Sequence, residues 1–177
     1  MKITLWDTAV KEEYDYAMIV EKDAIDRKNK SVGGAQKFTP EQSFDNRWDS
    51  SCGERAGAIV TGLPRHKGVG RYKRADLGID VDVKTRPDKK DCCGIPYGVR
   101  VTPKALKPWM FYLLVVSVKR FEIYDVFGGI YGKEILEHPD HSSWISNPGG
   151  YDPVFWVPRE FLHWRDDFLF SPEMWEN

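Results

Sequence analysis

Helical and alternating patterns of apolar residues divide the chain into segments of different character. The apolar positions with near-helical spacing close to the N-terminus are Val10, Tyr14, Ala17, Met18 and Ile25. They predict a helix over residues 8–28. Residues 29–48 are polar, contain glycine and proline, and predict a long loop. A second helix is predicted from about residues 49–51 to residue 61, because Gly62 and Pro64 follow as helix-ending residues.

The second half of the chain has the pattern of a β-sheet. Strands are predicted over residues 69–73, 79–85, 97–101, 110–118, 121–127 and 154–157. Residues 111–116 are apolar on both faces, so this strand is expected at the centre, covered by helices on at least one side. A helical turn is expected over residues 158–164. The fold class is therefore α/β (α+β), with a mixed central β-sheet flanked by helices.

All 177 residues are expected to form a single domain, with its core between residues 49 and 164. A hydrophobic content of 41% and seven tryptophans indicate a substantial core rather than disorder. No apolar run approaches the roughly 20 residues that span a bilayer, so no membrane partner is expected. Three cysteines, two of them adjacent, make a poor disulfide framework and predict a reducing, cytoplasmic location.

One short segment concentrates the candidate chemistry. Residues 79–84 alternate apolar and charged, which predicts a half-buried strand with Ile79, Val81 and Val83 facing the core. The charged side chains expected together on the other face are Asp80, Asp82 and Lys84. Asp76 lies just before them and Glu54 lies on the second predicted helix. Carboxylates beside a lysine are suited to holding Mg²⁺ against a phosphate and orienting an attacking water.

Basic residues cluster just before these acids. The net charge of −1 excludes a global basic field, but the cluster comprises Arg65, His66, Lys67, Arg71, Lys73 and Arg74. A basic stretch that leads into an acidic cluster is typical of a phosphodiester-cleaving site. A solvated charged surface gives the same pattern.

The ordered motifs resemble those of the PD-(D/E)XK nuclease superfamily. Asp76 matches the first acid, Asp82-Val83-Lys84 matches the (D/E)xK element, and Glu54 matches the helix glutamate. The chain is also similar to small phage and bacterial proteins of that type, through Gly53-Glu54-Arg55-Ala56, Ala75-Asp76-Leu77-Gly78, Asp82-Val83-Lys84-Thr85-Arg86 and Trp156-Val157-Pro158. Ala75 stands where that pattern has proline. One extra residue makes Asp80 an alternative to Asp82.

The resemblance implies a restriction-endonuclease-like fold and a metal-dependent endonuclease of a phage type that hydrolyses DNA phosphodiester bonds. Asp76 and Asp82 would bind Mg²⁺ or Mn²⁺, Glu54 would be a further ligand or position water, and Lys84 would orient the attacking water. The residues expected to contact DNA phosphates are Arg65, Lys67, Arg71, Lys73, Arg74 and Arg86. A homodimer is an option, because many nucleases of this type cut both strands as dimers.

Each motif also has a purely structural interpretation. Ser51-x-x-Glu54 is a capping-box pattern at a helix start, and Asp76 before Leu77-Gly78 suits a turn. Asp80, Asp82 and Lys84 could be a polar strand face with a cross-strand salt bridge of little energetic value. The second functional hypothesis is therefore a catalytically inactive nuclease-fold protein that binds nucleic acid or a host or phage protein. A third is an assembly protein that uses the aromatic C-terminal third as an interface.

Overall fold

Two β-sheets and three α-helices make up the described part of the chain, which comprises residues 1–28, 40–66, 75–89, 97–146 and 153–169 of a computed structural model. The elements are β1 (Lys2–Thr4), α1 (Asp7–Lys28), α2 (Pro40–Thr61), β2 (Val81–Pro87), β3 (Val99–Val101), β4 (Phe111–Lys119), β5 (Ile123–Tyr131), α3 (Gly132–Glu137), β6 (Ile145–Ser146) and β7 (Val154–Val157). A 3-10 turn covers Arg159–Phe161, within the helical turn predicted over residues 158–164. Within the described ranges, no helix has the length and apolarity needed to cross a membrane. The strand predicted over residues 69–73 lies outside them.

The larger sheet is mixed, as the sequence predicts. Its strand order is β1-β5-β4-β2, with β2 parallel to β4 and the other pairs antiparallel. A smaller antiparallel sheet has the order β3-β7-β6. Among the described strands β2 is at the edge of the larger sheet, and no described strand pairs with the backbone groups along its outer side.

Strand β4 is buried on both faces, which confirms its predicted central position. Phe111, Leu113 and Val115 belong to a core shared with α2. Tyr112 and Leu114 point the other way, into a second core shared with the smaller sheet and α3. Successive side chains of a strand point to opposite faces, so this single strand connects the two cores.

Helix α2 begins at Pro40, so the prediction of a loop through residue 48 is wrong for residues 40–48. Residues 29–39 lie outside the described ranges. The residues that pack along α2 recur every four positions: Phe44, Trp48, Cys52, Ala56 and Val60. This spacing is the sequence signal that could have extended the predicted helix. Ser51 is consequently in the interior of α2, which excludes the capping-box interpretation of Ser51 and Glu54.

Helix α1 matches its predicted bounds but not the predicted buried face. The residues buried along it are Ala9, Glu13 and Ala17, whereas Tyr14 and Met18 are exposed. This face packs on α2. Small alanines let the two helices approach, and they bring the fully buried carboxylate of Glu13 into the interface.

The structure places β2 two residues later than predicted. Gly78 to Asp80 form a turn, so Ile79 is 88% exposed and does not enter the core. Val81 and Val83 do enter it, as the alternation predicts. Strand β5 continues past residue 127 to Tyr131. The sequence analysis did not predict the elements β1, β6 and α3.

Two glycines allow α2 to lie directly against the edge of the larger sheet. A Cβ atom added at Gly53 would lie 2.1 Å from Thr85 Oγ1 and 2.8 Å from its Cγ2. A Cβ atom at Gly57 would lie 3.2 Å from Leu113 Cδ2 and 3.4 Å from Val83 Cγ2. Glycine inside a helix costs roughly 1 kcal/mol relative to alanine, and here it permits the close approach that brings Glu54 beside β2.

This packing predicts that Gly53→Ala lowers the free energy of unfolding. In an unconstrained helix the change would stabilise the protein by about 1 kcal/mol, but the clash with Thr85 should instead destabilise it by about 1–3 kcal/mol. Urea unfolding of Gly53→Ala, Thr85→Ala and the double variant measures the effect. The double variant should recover most of the loss, because Thr85→Ala removes the two closest atoms. A stabilising Gly53→Ala would contradict the packing described here.

Candidate active site

A tight turn fixes the Asp76 carboxylate against the side of β2 that no described strand pairs with. The backbone N–H groups of Asp76 and Leu77 both donate to the Val81 carbonyl, at 2.8 and 3.0 Å. Gly78 has φ +53°, a left-handed conformation that glycine adopts without strain. Asp76 Oδ2 then accepts the Val83 N–H at 2.8 Å. Asp76 is therefore a turn residue whose carboxylate is directed at the strand that carries Asp82 and Lys84.

Asp82 and Lys84 emerge on the same face of β2, as their spacing predicts. The Lys84 ammonium donates to both Asp82 oxygens, at 2.9 and 2.8 Å, and both side chains are 26% exposed. The ammonium also lies 5.6 Å from the centroid of the Tyr112 ring. The ion pair holds both groups at the surface of the sheet, beside the Asp76 carboxylate.

Asp80 does not join this group. It lies in the turn before β2, and its Oδ2 accepts a hydrogen bond from Arg165 Nη1 at 2.8 Å. Arg165 comes from the C-terminal segment and also holds Asp167. The expectation that Asp80 emerges beside Asp82 and Lys84 is thus wrong, because the strand begins only at Val81. Of the two alternatives, the geometry favours Asp82.

Glu54 reaches the site from α2 and is held by Arg65. Arg65 Nε donates to Glu54 Oε2 at 3.1 Å. The same guanidinium forms an ion pair with the buried Glu13 and donates from Nη2 to Ser51 Oγ at 2.6 Å. Ser51 Oγ in turn donates to Glu13 Oε2 at 2.6 Å. Arg65 thereby links α1, α2 and the turn segment around one buried network.

Sequence reasoning missed Glu13 and gave Arg65 a different role. The Arg65 side chain is 7% exposed and is occupied by three side chains, so the structure favours positioning of Glu54 over contact with a phosphate. The signal for Glu13 is its place between Ala9 and Ala17, four residues from each on the helix face that packs against α2.

The acidic groups of the site raise one another's pKa. Burial, together with the neighbouring Glu54 and Asp82 carboxylates, raises the pKa of Asp76 from its ordinary 3.8 to about 8. Burial also raises the pKa of Glu54 although Arg65 favours its charged form, and Glu13 and Asp82 add to that rise. The acidic side chains at the edge of β2 therefore outnumber Arg65 and Lys84, the two basic side chains that pair with them. Such groups cluster at functional sites.

The donor set suits a hard divalent cation at Asp76 and Asp82. Among the described residues there is no group of three His, Cys, Asp or Glu side chains arranged to hold a metal. Mg²⁺ commonly uses only one or two carboxylates and completes its shell with waters and substrate phosphate. The Asp82 carboxyl lies within hydrogen-bonding reach of Asp76, and a cation there would offset the repulsion that raises the pKa of Asp76. Lys84 would have to release Asp82.

The predicted phosphate contacts are only partly within the described ranges. Lys67, Arg71, Lys73 and Arg74 lie outside them. Arg86 is described and lies on β2, two residues beyond Lys84 on the same face. Burial and the nearby Arg100 lower the pKa of Arg86 to about 10.

The acidic cluster predicts how stability changes with pH. The pKa of Asp76 is higher in the folded protein than in the unfolded chain, so the native state binds more protons between about pH 4 and pH 8. Without divalent ions, the free energy of unfolding of the wild type should fall relative to that of Asp76→Asn as the pH rises through this range. Urea unfolding at a series of pH values measures this difference. Asp88→Asn, at an exposed acid, should run parallel to the wild type, and a parallel curve for Asp76→Asn would contradict the assignment.

The buried network predicts a large cost for removing Arg65. Arg65→Gln leaves the carboxylate of Glu13 buried without its main partner, which should cost about 3–5 kcal/mol in urea unfolding. Arg55→Gln is the matched control, because Arg55 is more exposed and contacts the same carboxylate at 3.7 Å; its cost should be about 1 kcal/mol or less. The double change Glu13→Gln with Arg65→Gln should recover part of the loss. Equal losses in the free energy of unfolding for Arg65→Gln and Arg55→Gln would show that the buried network stabilises the fold no more than a surface ion pair does.

Known proteins add no independent evidence on this site. No protein-family model, no curated protein and no solved structure matches the chain. The likeness to PD-(D/E)XK nucleases therefore stays a prediction from the motifs. Function has to be inferred from the side chains at the edge of β2.

Proposed function

We propose that this protein is a Mg²⁺- or Mn²⁺-dependent endonuclease that hydrolyses DNA phosphodiester bonds. The observation that carries the proposal is the placement of Asp76, Asp82 and Lys84 together at one edge strand, with Glu54 beside them. Catalysis in the cytoplasm, on DNA as the partner, is part of the same proposal.

The order of the elements supports a restriction-endonuclease-like core. The edge strand β2 carries the (D/E)xK element and runs parallel to the central strand β4. Strand β5 then pairs with β4 in the antiparallel direction, and α2 lies over the sheet with Glu54 near β2. This arrangement agrees with what the resemblance to PD-(D/E)XK nucleases implies for the three motifs.

Each side chain has a role that its contacts make reasonable. Asp76 and Asp82 would hold the metal ion, which when bound polarises the phosphoryl oxygen and lowers the pKa of the attacking water. Lys84, released from Asp82, would orient that water or stabilise negative charge on the phosphate. Glu54 would position water from α2, with Arg65 fixing the orientation of its carboxylate.

A second function is favoured by one specific observation. Lys84 occupies both oxygens of Asp82, and Arg65 occupies Glu54, so the site is closed by its own cations. A protein that binds nucleic acid or a host or phage protein without cutting could keep this arrangement unchanged. Divalent-ion binding separates the two functions, because only the nuclease needs the carboxylates free to hold a metal.

Cleavage of plasmid DNA with Mg²⁺ or Mn²⁺ tests the proposal. Asp82→Asn, Asp76→Ala and Lys84→Ala should each lower the cleavage rate by at least about a hundredfold, the scale of losing one electrostatic stabiliser of the transition state. Asp82→Asn should remain folded, because its side chain is partly exposed and lies on the outer strand face. Asp80→Asn is the matched control and should retain activity, since Asp80 pairs with Arg165.

Two outcomes would reject the nuclease. One is cleavage that persists in Asp82→Asn or in the presence of a chelator, which would point to a contaminating enzyme. The other is no cleavage by the wild type together with no Mg²⁺ or Mn²⁺ binding in calorimetry. The second outcome would favour the binding protein.

A further inference from the structure

A basic cleft adjoins the candidate active site. Its lining includes Lys84 and Arg86 from β2, Arg100 from β3, and Thr102 just after β3. Lys84 and Arg86 project from the same face of one strand, about 6.6 Å apart along it. That separation is close to the distance between successive phosphates of one nucleic-acid strand.

The two arginines of this cleft differ from Lys84 in their partners. Within the described ranges, no carboxylate forms an ion pair with Arg86 or Arg100, whereas Lys84 is paired with Asp82. Arg86 Nε is buried and has no hydrogen-bond partner among the described residues. A buried donor without a partner is costly, so a ligand that accepts this hydrogen bond would be bound favourably.

A tryptophan holds the two guanidinium groups close to each other. Trp156 on β7 is directly opposite Arg100 on β3 in the antiparallel pairing. The guanidinium carbons of Arg100 and Arg86 lie 5.2 and 5.6 Å from the centroid of the Trp156 ring. Cation–π attraction to the ring offsets part of the repulsion between the two like charges.

The chemistry of the cleft selects an oxyanion with several acceptors. Guanidinium groups match the geometry of phosphate oxygens with paired hydrogen bonds, which ammonium groups cannot do. Two arginines that no described carboxylate pairs with, one of them with a buried Nε donor that has no described partner, therefore form a phosphate site rather than a general charged surface. The two-residue spacing of Lys84 and Arg86 along β2 is consistent with a site one phosphate away from the group that the candidate catalytic residues face.

We propose that Arg86 and Arg100 together bind one phosphodiester group of the DNA strand, adjacent to the phosphate that is cleaved, with Trp156 positioning both guanidinium groups. This inference rests on the proposed function in taking DNA as the partner and in locating the cleaved phosphate, whereas the phosphate contact of the two arginines needs DNA alone. Neither arginine contacts the metal-binding carboxylates in the structure. The site therefore contributes to substrate binding and to register along the strand, and it does so without a divalent ion.

The test is binding of a short fluorescein-labelled DNA duplex, followed by anisotropy in a chelator at several salt concentrations. Arg86→Gln and Arg100→Gln should each weaken binding about five- to tenfold and lower the salt slope by about one, as expected for the loss of one phosphate contact. The double variant should lose little more than either single variant, because both arginines hold the same phosphate. The DNA affinity of Arg86→Lys should lie between those of the wild type and Arg86→Gln, because lysine keeps the positive charge but cannot form the paired hydrogen bonds of a guanidinium group.

Lys2→Gln is the matched control. Lys2 is exposed on β1, at the opposite edge of the larger sheet. Removing its positive charge should therefore change the DNA affinity less than twofold. Circular dichroism of every variant shows whether the fold is retained. Folded Arg86→Gln and Arg100→Gln that bind with wild-type affinity and salt slope would overturn the inference.

Cleavage kinetics separate this inference from the proposed function. In an active enzyme, Arg100→Gln should raise KM about five- to tenfold and leave kcat within about twofold, unlike Asp82→Asn. A wild type that binds DNA through the two arginines but never cleaves it would retain the phosphate site and reject the nuclease. A wild type that cleaves DNA while both arginine variants bind normally would reject the phosphate site alone.

Discussion

Helix α2 lies so close to β2 that a side chain at Gly53 or Gly57 would meet Thr85, Val83 or Leu113. This contact determines where the candidate catalytic groups lie. It brings Glu54 to the strand that carries Asp82 and Lys84. The same edge is where Asp76 accepts the Val83 N–H, so a backbone donor left unpaired by the sheet anchors the first acid.

The charges at this edge are out of balance in a way that a purely structural surface would avoid. Glu54 and Asp76 both have raised pKa values because they are buried near other carboxylates. Arg65 offsets part of this charge through a network that extends to Glu13 on α1. Proteins commonly tolerate such repulsion where function needs the groups, and pay for it in stability. A bound divalent cation would relieve it.

The proposed DNA path uses both sheets. Lys84 and Arg86 come from the larger sheet, whereas Arg100 and Trp156 come from the smaller one. Strand β4 joins the two through cores on its opposite faces, so the position of the phosphate site relative to the acids depends on that single buried strand. Packing of the smaller sheet therefore has a direct consequence for substrate binding.

Local patterns in the sequence were sufficient to predict the central strand β4, the bounds of α1, and the shared face of Asp82 and Lys84. These features follow from the period of a strand or a helix, which neighbouring residues determine. The apolar spacing of α2 begins only at Phe44, so it could have extended the helix to that residue but not to its start at Pro40.

Only the tertiary structure decided which charged groups meet. Asp80 and Asp82 have the same strand parity, yet Arg165 holds Asp80 from a distant part of the chain. The buried Glu13 and the pairing of Arg100 with Trp156 likewise depend on contacts between elements far apart in sequence. The sequence determined which side chains share a face, whereas packing between elements determined their partners, because ion pairing depends on distance in space and not along the chain.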